Sequence, residues 1–387
     1  MSQRSRAAGL RRERTLASSQ WHDGRFRNPG GIGAGLRKGT TWQVAREWAA
    51  GNDRRVPVRP LPSTDPRPAW ARPAAGGLRA TWLGHSTVLL ELDGARVLTD
   101  PVWSERASPL QVAGPRRFQP VPVPIDALSA IDAVALSHDH YDHLDRASIL
   151  ALAKRGVPIV TSLGVGARLE GWGIPVEQIV ELDWWEHHDV GPVRITAGPS
   201  QHFSGRGLGD RNETLWSSLV IESPRHKVFF SGDTGLTQAY GEIAARFGRF
   251  DLVMLEVGAF HPAWGDIHLG PDQALDALAL LGGGRFLPVH WGTFNLGLHA
   301  WDQPAERLLE IAPARGVELV MPRLGEVVEP GHTETPRPWW RVVDAPEAER
   351  DGSPWSAPAT VRPERGPEGP ESKGEPVILG AMPDPID

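Results

Sequence analysis

The chain has 387 residues, of which 40% are hydrophobic, and this supply of apolar side chains is enough for one large domain or two. It contains no cysteine, which excludes disulfide bonds, thiolate metal sites and a cysteine nucleophile. The net charge of −6 hides an asymmetry: residues 1–59 hold 13 Lys and Arg against 4 Asp and Glu, so the rest of the chain is strongly acidic. An acidic body argues against nucleic-acid binding.

Neither a membrane-spanning segment nor a cleavable secretory signal is visible in the sequence. No apolar run approaches the roughly 18 residues of a spanning helix, and no apolar segment follows the basic N-terminus. The expected location is the cytoplasm, and contact with a membrane surface is left open. The oligomeric state is not predicted.

Residues 1–76 are predicted to be a basic arm followed by a linker. Residues 1–30 are polar, Arg-rich and without periodicity, which predicts disorder or loose docking. The Pro-rich stretch 57–73 predicts an extended connection across the surface. The compact body is expected over residues 77–328. Residues 329–387 are rich in Pro, Glu and Gly, which predicts a disordered tail.

Within the body, apolar or alternating runs of strand length recur, with helical patterns between several of them. Asp145 is a suitable N-cap for a helix that begins at Arg146, and Pro271 and Pro304 lie at the first turns of two more. Strands and helices in this order predict sheets covered by helices, an α/β (α+β) layered domain. The predicted strands are 79–82, 88–92, 96–99, 133–136, 159–161, 193–197, 218–222, 227–231, 252–256, 286–289 and 318–321.

One of these strands, 133–136, leads directly into a dense group of polar side chains. The group contains His138, His140, Asp142 and His143, and Asp139 lies among them. Imidazole nitrogens and carboxylate oxygens suit borderline divalent metals, zinc first, and the absence of thiolates argues against a closed structural zinc site. The cluster therefore predicts a metal site.

Three later strand-like runs also lead to a potential metal ligand. They are followed by His202, Asp233 and His290, respectively. Taken singly, each histidine is more often an ordinary hydrogen-bonded side chain than a ligand. Loops at strand ends are where a rigid sheet presents reactive groups, so these loops are expected to converge with the first cluster on one cleft.

The order of these motifs resembles the metallo-β-lactamase superfamily, whose fold is a four-layer αβ/βα sandwich with a two-metal site between the sheets. The similarity covers about residues 78–328, and the segment 23–29 (DGRFRNP) is a further point of resemblance in the arm. Finer matches point to the branch around N-acylphosphatidylethanolamine-hydrolysing phospholipase D. They are the segments 82–87 (WLGHST), 98–104 (LTDPVWS), 137–145 (SHDHYDHLD), 230–235 (FSGDTG) and 290–294 (HWGTF).

The resemblance implies seven ligands for two divalent ions, with zinc as the first candidate. Two such ions about 3.5–4 Å apart would hold a bridging hydroxide as the nucleophile. By the resemblance, one ion is held by His138, His140 and His202, the other by Asp142, His143 and His290, and Asp233 bridges both.

The resemblance also assigns roles around the metals. Asp142 and His268 would be the catalytic residues, with His268 binding phosphate or protonating the leaving group. Asp139 is expected at the surface or in support of a ligand rather than as a ligand. Three further side chains are expected to hold the ligands in place by hydrogen bonds: Asp100, Glu256 and His85.

The leading interpretation is a phosphodiesterase of the phospholipase D type, acting on an N-acylphosphatidylethanolamine-like phospholipid or another small molecule. A lactonase or other ester hydrolase would use the same metals, because fold and metal chemistry do not fix the substrate. A nucleic-acid-processing hydrolase is disfavoured by the acidic body. A non-catalytic metal-binding regulatory protein is a further alternative, disfavoured because all seven ligand positions are intact.

Overall fold

The computed structural model describes residues 3–33, 35, 37–50, 54–332 and 336–343. Most strands of the body are buried on both faces, which is why they read as nearly continuous apolar runs in the sequence. They form two large sheets. Within the described residues, no helix has the length and apolar character needed to cross a membrane.

The first sheet has seven strands in the order β15-β3-β4-β5-β6-β7-β8. The strands β3, β4 and β5 are antiparallel neighbours, whereas β5 to β8 run parallel. Their bounds are β3 (Leu78–Gly84), β4 (Thr87–Leu92), β5 (Ala95–Thr99), β6 (Ala133–Leu136), β7 (Ile159–Ser162), β8 (Ile179–Leu182) and β15 (Val327–Val328).

The second sheet has six strands in the order β14-β13-β12-β11-β10-β9. Here β12, β13 and β14 are parallel and the others antiparallel. Their bounds are β9 (His187–Val190), β10 (Val193–Gly198), β11 (Ser218–Glu222), β12 (Lys227–Phe230), β13 (Leu252–Glu256) and β14 (Arg285–Val289).

The helices of the body cover the outer faces of the two sheets. The largest apolar cluster contains side chains of both sheets, such as Leu90 and Phe229, so the sheets pack face to face. A second cluster packs helical Ile149 and Leu169 against Val134 of β6. These contacts confirm the predicted four-layer sandwich. The helices are α4 (Arg146–Ala153), α5 (Gly166–Gly171), α6 (Ala239–Phe247), α7 (Gly270–Leu280) and α8 (Gln303–Ile311).

The predicted strands are found except for 318–321, of which only Leu319 pairs, in an isolated bridge with Phe286. Three strands of the large sheets escape prediction. β8 and β9 are partly exposed and carry charged and polar side chains, and β15 is only two residues long. The predicted cap of α4 is confirmed. The Asp145 carboxylate accepts hydrogen bonds from the backbone N–H groups of Ala147 and Ser148.

The N-terminal arm is more ordered than the sequence predicts. It contains α1 (Gln3–Ala17), the hairpin strands β1 (Trp21–His22) and β2 (Arg25–Phe26), α2 (Thr41–Ala50) and α3 (Arg67–Trp70). The expectation of a disordered or loosely docked segment is wrong for the described part, because Arg11 forms ion pairs with Glu170 and Glu181 of the body. Composition could not reveal these distant partners.

Part of the predicted tail also packs on the body, so the boundary at residue 328 is too early. Trp339, Trp340 and Val343 are buried in the main core. The Trp339 indole N–H donates to the Met321 carbonyl (3.0 Å), and that of Trp340 donates to Glu306 (2.8 Å). The rest of the predicted disordered tail, residues 333–335 and 344–387, lies outside the described residues.

Candidate metal centre

Loops from both sheets meet at one edge of the sandwich. The segment 137–145 follows β6 of the first sheet, and loops after β10, β12 and β14 of the second sheet carry His202, Asp233 and His290. The seven side chains predicted as ligands lie there in two groups, in each of which the potential ligand atoms are within 4.8 Å of one another. The structure therefore brings together all the residues that the sequence predicts to share a cleft.

The first donor group consists of His138, His140, His202 and Asp233. His140 Nδ1 lies 2.9 Å from His138 Nε2 and 3.2 Å from His202 Nε2. The nearest Asp233 oxygen, Oδ2, is 3.9 Å from His138 Nε2 and 3.7 Å from His202 Nε2. Three imidazole nitrogens and a carboxylate thus face one small space.

The second donor group consists of His85, Asp142, His143 and His290. Asp142 Oδ2 lies 3.0 Å from His85 Nε2, 3.3 Å from His290 Nε2 and 3.5 Å from His143 Nε2. His85 is the member that the sequence analysis placed outside the ligand set, in a supporting role. Its position in the β3–β4 turn, with a positive φ of 51°, points its ring at this group.

Asp233 lies between the two groups. Its Oδ1 is 3.1 Å from His143 Nε2, and its Oδ2 is 3.2 Å from His290 Nε2. The same Oδ2 is 3.7 Å from His202 Nε2 and 3.9 Å from His138 Nε2 of the first group. The carboxylate is 3% exposed, so water does not satisfy its charge. A bridging position is the arrangement predicted for this residue.

The hydrogen bonds around the cluster fix which nitrogens carry protons. His202 Nδ1 donates to the Ile267 carbonyl (3.0 Å), and His143 Nδ1 faces Asp100 Oδ2 (2.7 Å). Ser137 Oγ donates to Asp100 (2.6 Å) and so accepts from His138 Nδ1 (2.9 Å). The Nε2 atoms of the neutral His138 and His202 are therefore lone pairs aimed into the centre, and His143 also faces the centre with its Nε2.

This donor set fits divalent cations. In the first group, the lone pairs of His138 Nε2 and His202 Nε2 both face His140 Nδ1. His140 Nδ1 carries at most one proton, so it cannot donate a hydrogen bond to both, and a cation would satisfy all three nitrogens. His143 Nε2 and Asp233 Oδ1 are buried and lack a hydrogen-bond partner, although they lie only 3.1 Å apart. Imidazole nitrogen and carboxylate oxygen without sulfur suit zinc, and also iron or manganese.

The electrostatics differ between the two groups. In the first, burial and then the charge of His143 hold the pKa of His138 well below its usual value. In the second, burial opposes protonation, but the charges of Asp233 and Asp142 outweigh it and raise the pKa of His290 to about 10 and that of His143 well above normal. Without metal, the second group therefore retains protons that the first lacks.

Two buried carboxylates support the cluster from behind. Asp100 holds His143 and accepts from the backbone N–H of Ser137 (2.8 Å), and burial raises its pKa. Glu256 Oε2 lies 2.7 Å from His268 Nδ1, and its Oε1 accepts from the Thr234 N–H (2.6 Å). Burial opposes protonation of His268, but Glu256 outweighs it and raises the pKa of His268.

Two further residues support the cluster from outside the donor groups. Asp139, expected at the surface or in support of a ligand, is fully buried, which leaves the supporting role. Its carboxylate pairs with Arg168 (2.5 Å) and accepts from the Gly205 N–H (2.9 Å), which ties the first cluster to the His202 loop. Asn28 of the arm contacts the backbone of His202. The one feature of the sequence that points to Asn28 is its place in the segment 23–29, which shares the family resemblance.

A family model describing a β-lactamase superfamily domain matches residues 95–291. The chain belongs to the metallo-β-lactamase superfamily. That membership agrees with the four-layer fold and with a metal-dependent hydrolase, and it confirms the resemblance found in the sequence. Among its relatives is an uncharacterized protein of Mycobacterium tuberculosis, 45% identical over 305 residues, which are 78% of this chain and 80% of that protein.

Two relatives carry the name of the lipid-cleaving branch. N-acyl-phosphatidylethanolamine-hydrolyzing phospholipase D 1 of Caenorhabditis elegans is 35% identical over 252 residues, 62% of this chain and 71% of that protein. The mitochondrial N-acyl-phosphatidylethanolamine-hydrolyzing phospholipase D of Saccharomyces cerevisiae is 32% identical over 258 residues, which are 64% of this chain and 54% of that protein.

Among solved structures, an isothiocyanate hydrolase from Delia radicum gut bacteria is 26% identical with a TM-score of 0.51. The match covers 65% of this chain and 98% of that one. The superfamily fold therefore accompanies more than one kind of substrate.

Proposed function

We propose that the protein is a dinuclear-metal-dependent phosphodiesterase of the phospholipase D type. The observation that carries this proposal is the pair of donor groups joined by Asp233, because a single ion would not need both. In the proposed assignment one ion is held by His138, His140 and His202, the other by Asp142, His143 and His290, and Asp233 serves both. Two bound ions, zinc first, supply an activated water near neutral pH and stabilise negative charge on a phosphoryl oxygen.

The chain's own residues provide the geometry for this chemistry. Asp100, Ser137 and the Ile267 carbonyl engage the Nδ1 atoms of His143, His138 and His202, respectively, so the nitrogen that each ring offers to an ion is Nε2. The predicted catalytic residue Asp142 receives contacts from His85, His143 and His290, which hold its carboxylate in one orientation. No serine or cysteine nucleophile is needed.

His268 is proposed to protonate the leaving alkoxide. Glu256 holds its Nδ1, and Nε2 is the remaining nitrogen available to a substrate. The ring is close to the donor groups, with centroids 5.1 Å from His202 and 5.6 Å from His290. Since Glu256 raises the pKa of His268, the imidazole can carry the proton that the leaving group requires.

The substrate class is supported by the two named relatives and by the charge of the chain. Both relatives are named for hydrolysis of N-acylphosphatidylethanolamine. The acidic body disfavours a nucleic-acid phosphodiester, since a polyanion would be repelled. The proposed substrate is therefore a phospholipid of this kind, met at a membrane surface by a cytoplasmic protein.

Hydrolysis of bis(p-nitrophenyl) phosphate compared with that of a lactone tests the reaction type. We expect turnover of the diester, its loss in a His143→Ala variant, and its retention in the matched control His187→Ala, an exposed histidine on β9. Turnover of lactones but not of the diester would favour the ester-hydrolase alternative. Bound metal without turnover of either would favour a non-catalytic protein.

A lipid panel then tests the headgroup. Cleavage of N-acylphosphatidylethanolamine between phosphate and headgroup yields phosphatidate and an N-acylethanolamine, which mass spectrometry separates. We expect these two products, and less product from phosphatidylethanolamine lacking the N-acyl chain. Products of acyl-ester cleavage instead would contradict the phospholipase D assignment.

A further inference from the structure

Within the described part of the N-terminal arm, the side chain of Asn28 contacts the metal centre. Its Nδ2 donates to the His202 carbonyl (2.7 Å), and its Oδ1 accepts from the His202 N–H (3.1 Å). The amide thus pairs with both backbone groups of one residue, as a neighbouring strand would. His202 is the histidine that the second sheet contributes to the first donor group.

The remaining hydrogen-bonding capacity of Asn28 is also used. Nδ2 donates a second bond to the Ile32 carbonyl (2.8 Å), and Oδ1 accepts a second one from the Trp216 indole N–H (3.0 Å). The side chain is buried, at 7% exposed, and all its donors and both acceptor sites are satisfied. If the amide nitrogen and oxygen were exchanged, N–H groups would face N–H groups and oxygens would face carbonyl oxygens at all four contacts. The orientation of the amide is therefore fixed.

The arm is anchored on both sides of this contact. Before it, Phe26 is fully buried in an apolar cluster with Leu163, Leu215 and Trp216, and its N–H donates to the Asn212 carbonyl (2.8 Å). This packing holds the backbone next to Asn28. The side chain is therefore presented to His202 at a set position rather than by a loose tail.

After the contact, the arm supports the His202 ring from a second direction. The Arg37 N–H donates to the Ala263 carbonyl (2.7 Å), the Gly265 N–H donates to the Gly35 carbonyl (3.0 Å), and the Arg37 guanidinium pairs with Asp266 (2.6 Å). The next residue, Ile267, provides the carbonyl that accepts from His202 Nδ1. Backbone and ring of one ligand thus both depend on the arm.

We propose that Asn28 is a positioning residue of the metal centre and that the N-terminal arm completes the first donor group. This inference rests on the proposed function only in taking His202 as a ligand. The second donor group has no contact of this kind with the arm among the described residues. Loss of Asn28 should therefore weaken one ion and spare the other.

Cobalt titration of three variants tests the proposal. Asn28→Ala removes every bond of the amide, and Asn28→Asp keeps the size and the accepted bonds but loses the donated ones. Arg14→Ala is the matched control, because Arg14 ties the same arm to Glu186, a residue that belongs to neither donor group. Visible absorption of bound Co²⁺ reports the geometry and affinity of each site, and thermal unfolding shows that each variant is folded.

We expect wild type and Arg14→Ala to bind two ions alike. In both Asn28 variants one ion should bind about 10–100-fold more weakly with an altered spectrum, as for other residues that hold ligands, and the other ion should be unchanged. Titrations and spectra identical to wild type would overturn the proposal.

A second readout separates this proposal from the proposed function. If wild type itself binds no Co²⁺, the metal assignment fails, and amide hydrogen exchange of the metal-free chain still decides the role of Asn28. The peptide containing His202 should exchange faster in the Asn28 variants than in Arg14→Ala. Equal exchange would overturn the positioning role.

Discussion

The two donor groups share Asp233 but are held in place by different parts of the chain. In the second group, His143 is backed by the fully buried carboxylate of Asp100, which belongs to the same sheet. In the first group, His202 is held by a backbone carbonyl and by the N-terminal arm. A carboxylate partner raises the basicity of an imidazole more than a carbonyl does, so the two ions are expected to differ in affinity and in pH dependence.

Removing the shared residue should have the largest effect. We expect Asp233→Ala to lose diester hydrolysis by at least about a thousandfold, the upper end for removal of one electrostatic stabiliser from a site. It should also lose tight binding of both ions, measured by elemental analysis after dialysis. A variant that keeps both ions would show that the groups are independent.

Removing the carboxylate behind His143 should separate the groups. We expect Asp100→Asn to weaken the ion of the second group about 10–100-fold and that of the first group less, because His143 loses its charged partner directly, whereas His138 is linked to Asp100 only through Ser137 Oγ. Competition with a chelator measures both affinities. Asp189→Asn, an exposed carboxylate on β9, is the control and should match wild type. Equal weakening of both ions would contradict the separation.

Acid should weaken the second group more than the first. His290, with its pKa raised to about 10, and His143 must release protons before they bind an ion, whereas the pKa of His138 and His202 is already low. The affinity of the second group for its ion should therefore fall as the pH is lowered from about 8 to 6. The fall should be about tenfold per pH unit for each proton that must be released on binding. Titrations of Co²⁺ at several pH values check this, and parallel slopes for the two ions would contradict it.

His85 should have the smallest effect of the residues in the second group. Burial, and then the charge of His290, lower its pKa to about 3, so it is neutral and its Nε2–H donates to Asp142 (3.0 Å). We expect His85→Ala to bind both ions with activity reduced less than about tenfold, the lower end for a residue that only orients a ligand. Loss of the second ion in elemental analysis would instead make His85 a ligand.

The sequence is enough to predict the centre and the supporting carboxylates of Asp100 and Glu256, but not the contacts made by the N-terminal arm and by the end of the chain. Strand-length apolar runs place His138, His202, Asp233 and His290 at strand ends, and strand ends share an edge, so their convergence follows from local patterns. The resemblance then adds the two-ion arrangement. The α/β layered domain follows from the same kind of pattern, because buried strands and capped helices are encoded in short windows of sequence. Its four-layer arrangement is implied by the resemblance and is confirmed by the packing of the two sheets and their helices.

The arm and the end of the chain could not be predicted in this way. Asn28, Arg11 and Trp340 each lie in a polar or Pro-rich stretch, and their partners are more than 30 residues away. Composition reports whether a segment can build its own core, not whether it can dock on another. The same applies to Asp139, whose burial depends on the distant Arg168.

A crystal structure of the protein with bound metal, with anomalous scattering collected at the metal edge, tests the central claim most directly. We predict two peaks about 3.5–4 Å apart. One should be coordinated by His138, His140 and His202, the other by Asp142, His143 and His290, with Asp233 in contact with both. A single peak, or peaks away from these side chains, would contradict the two-metal account.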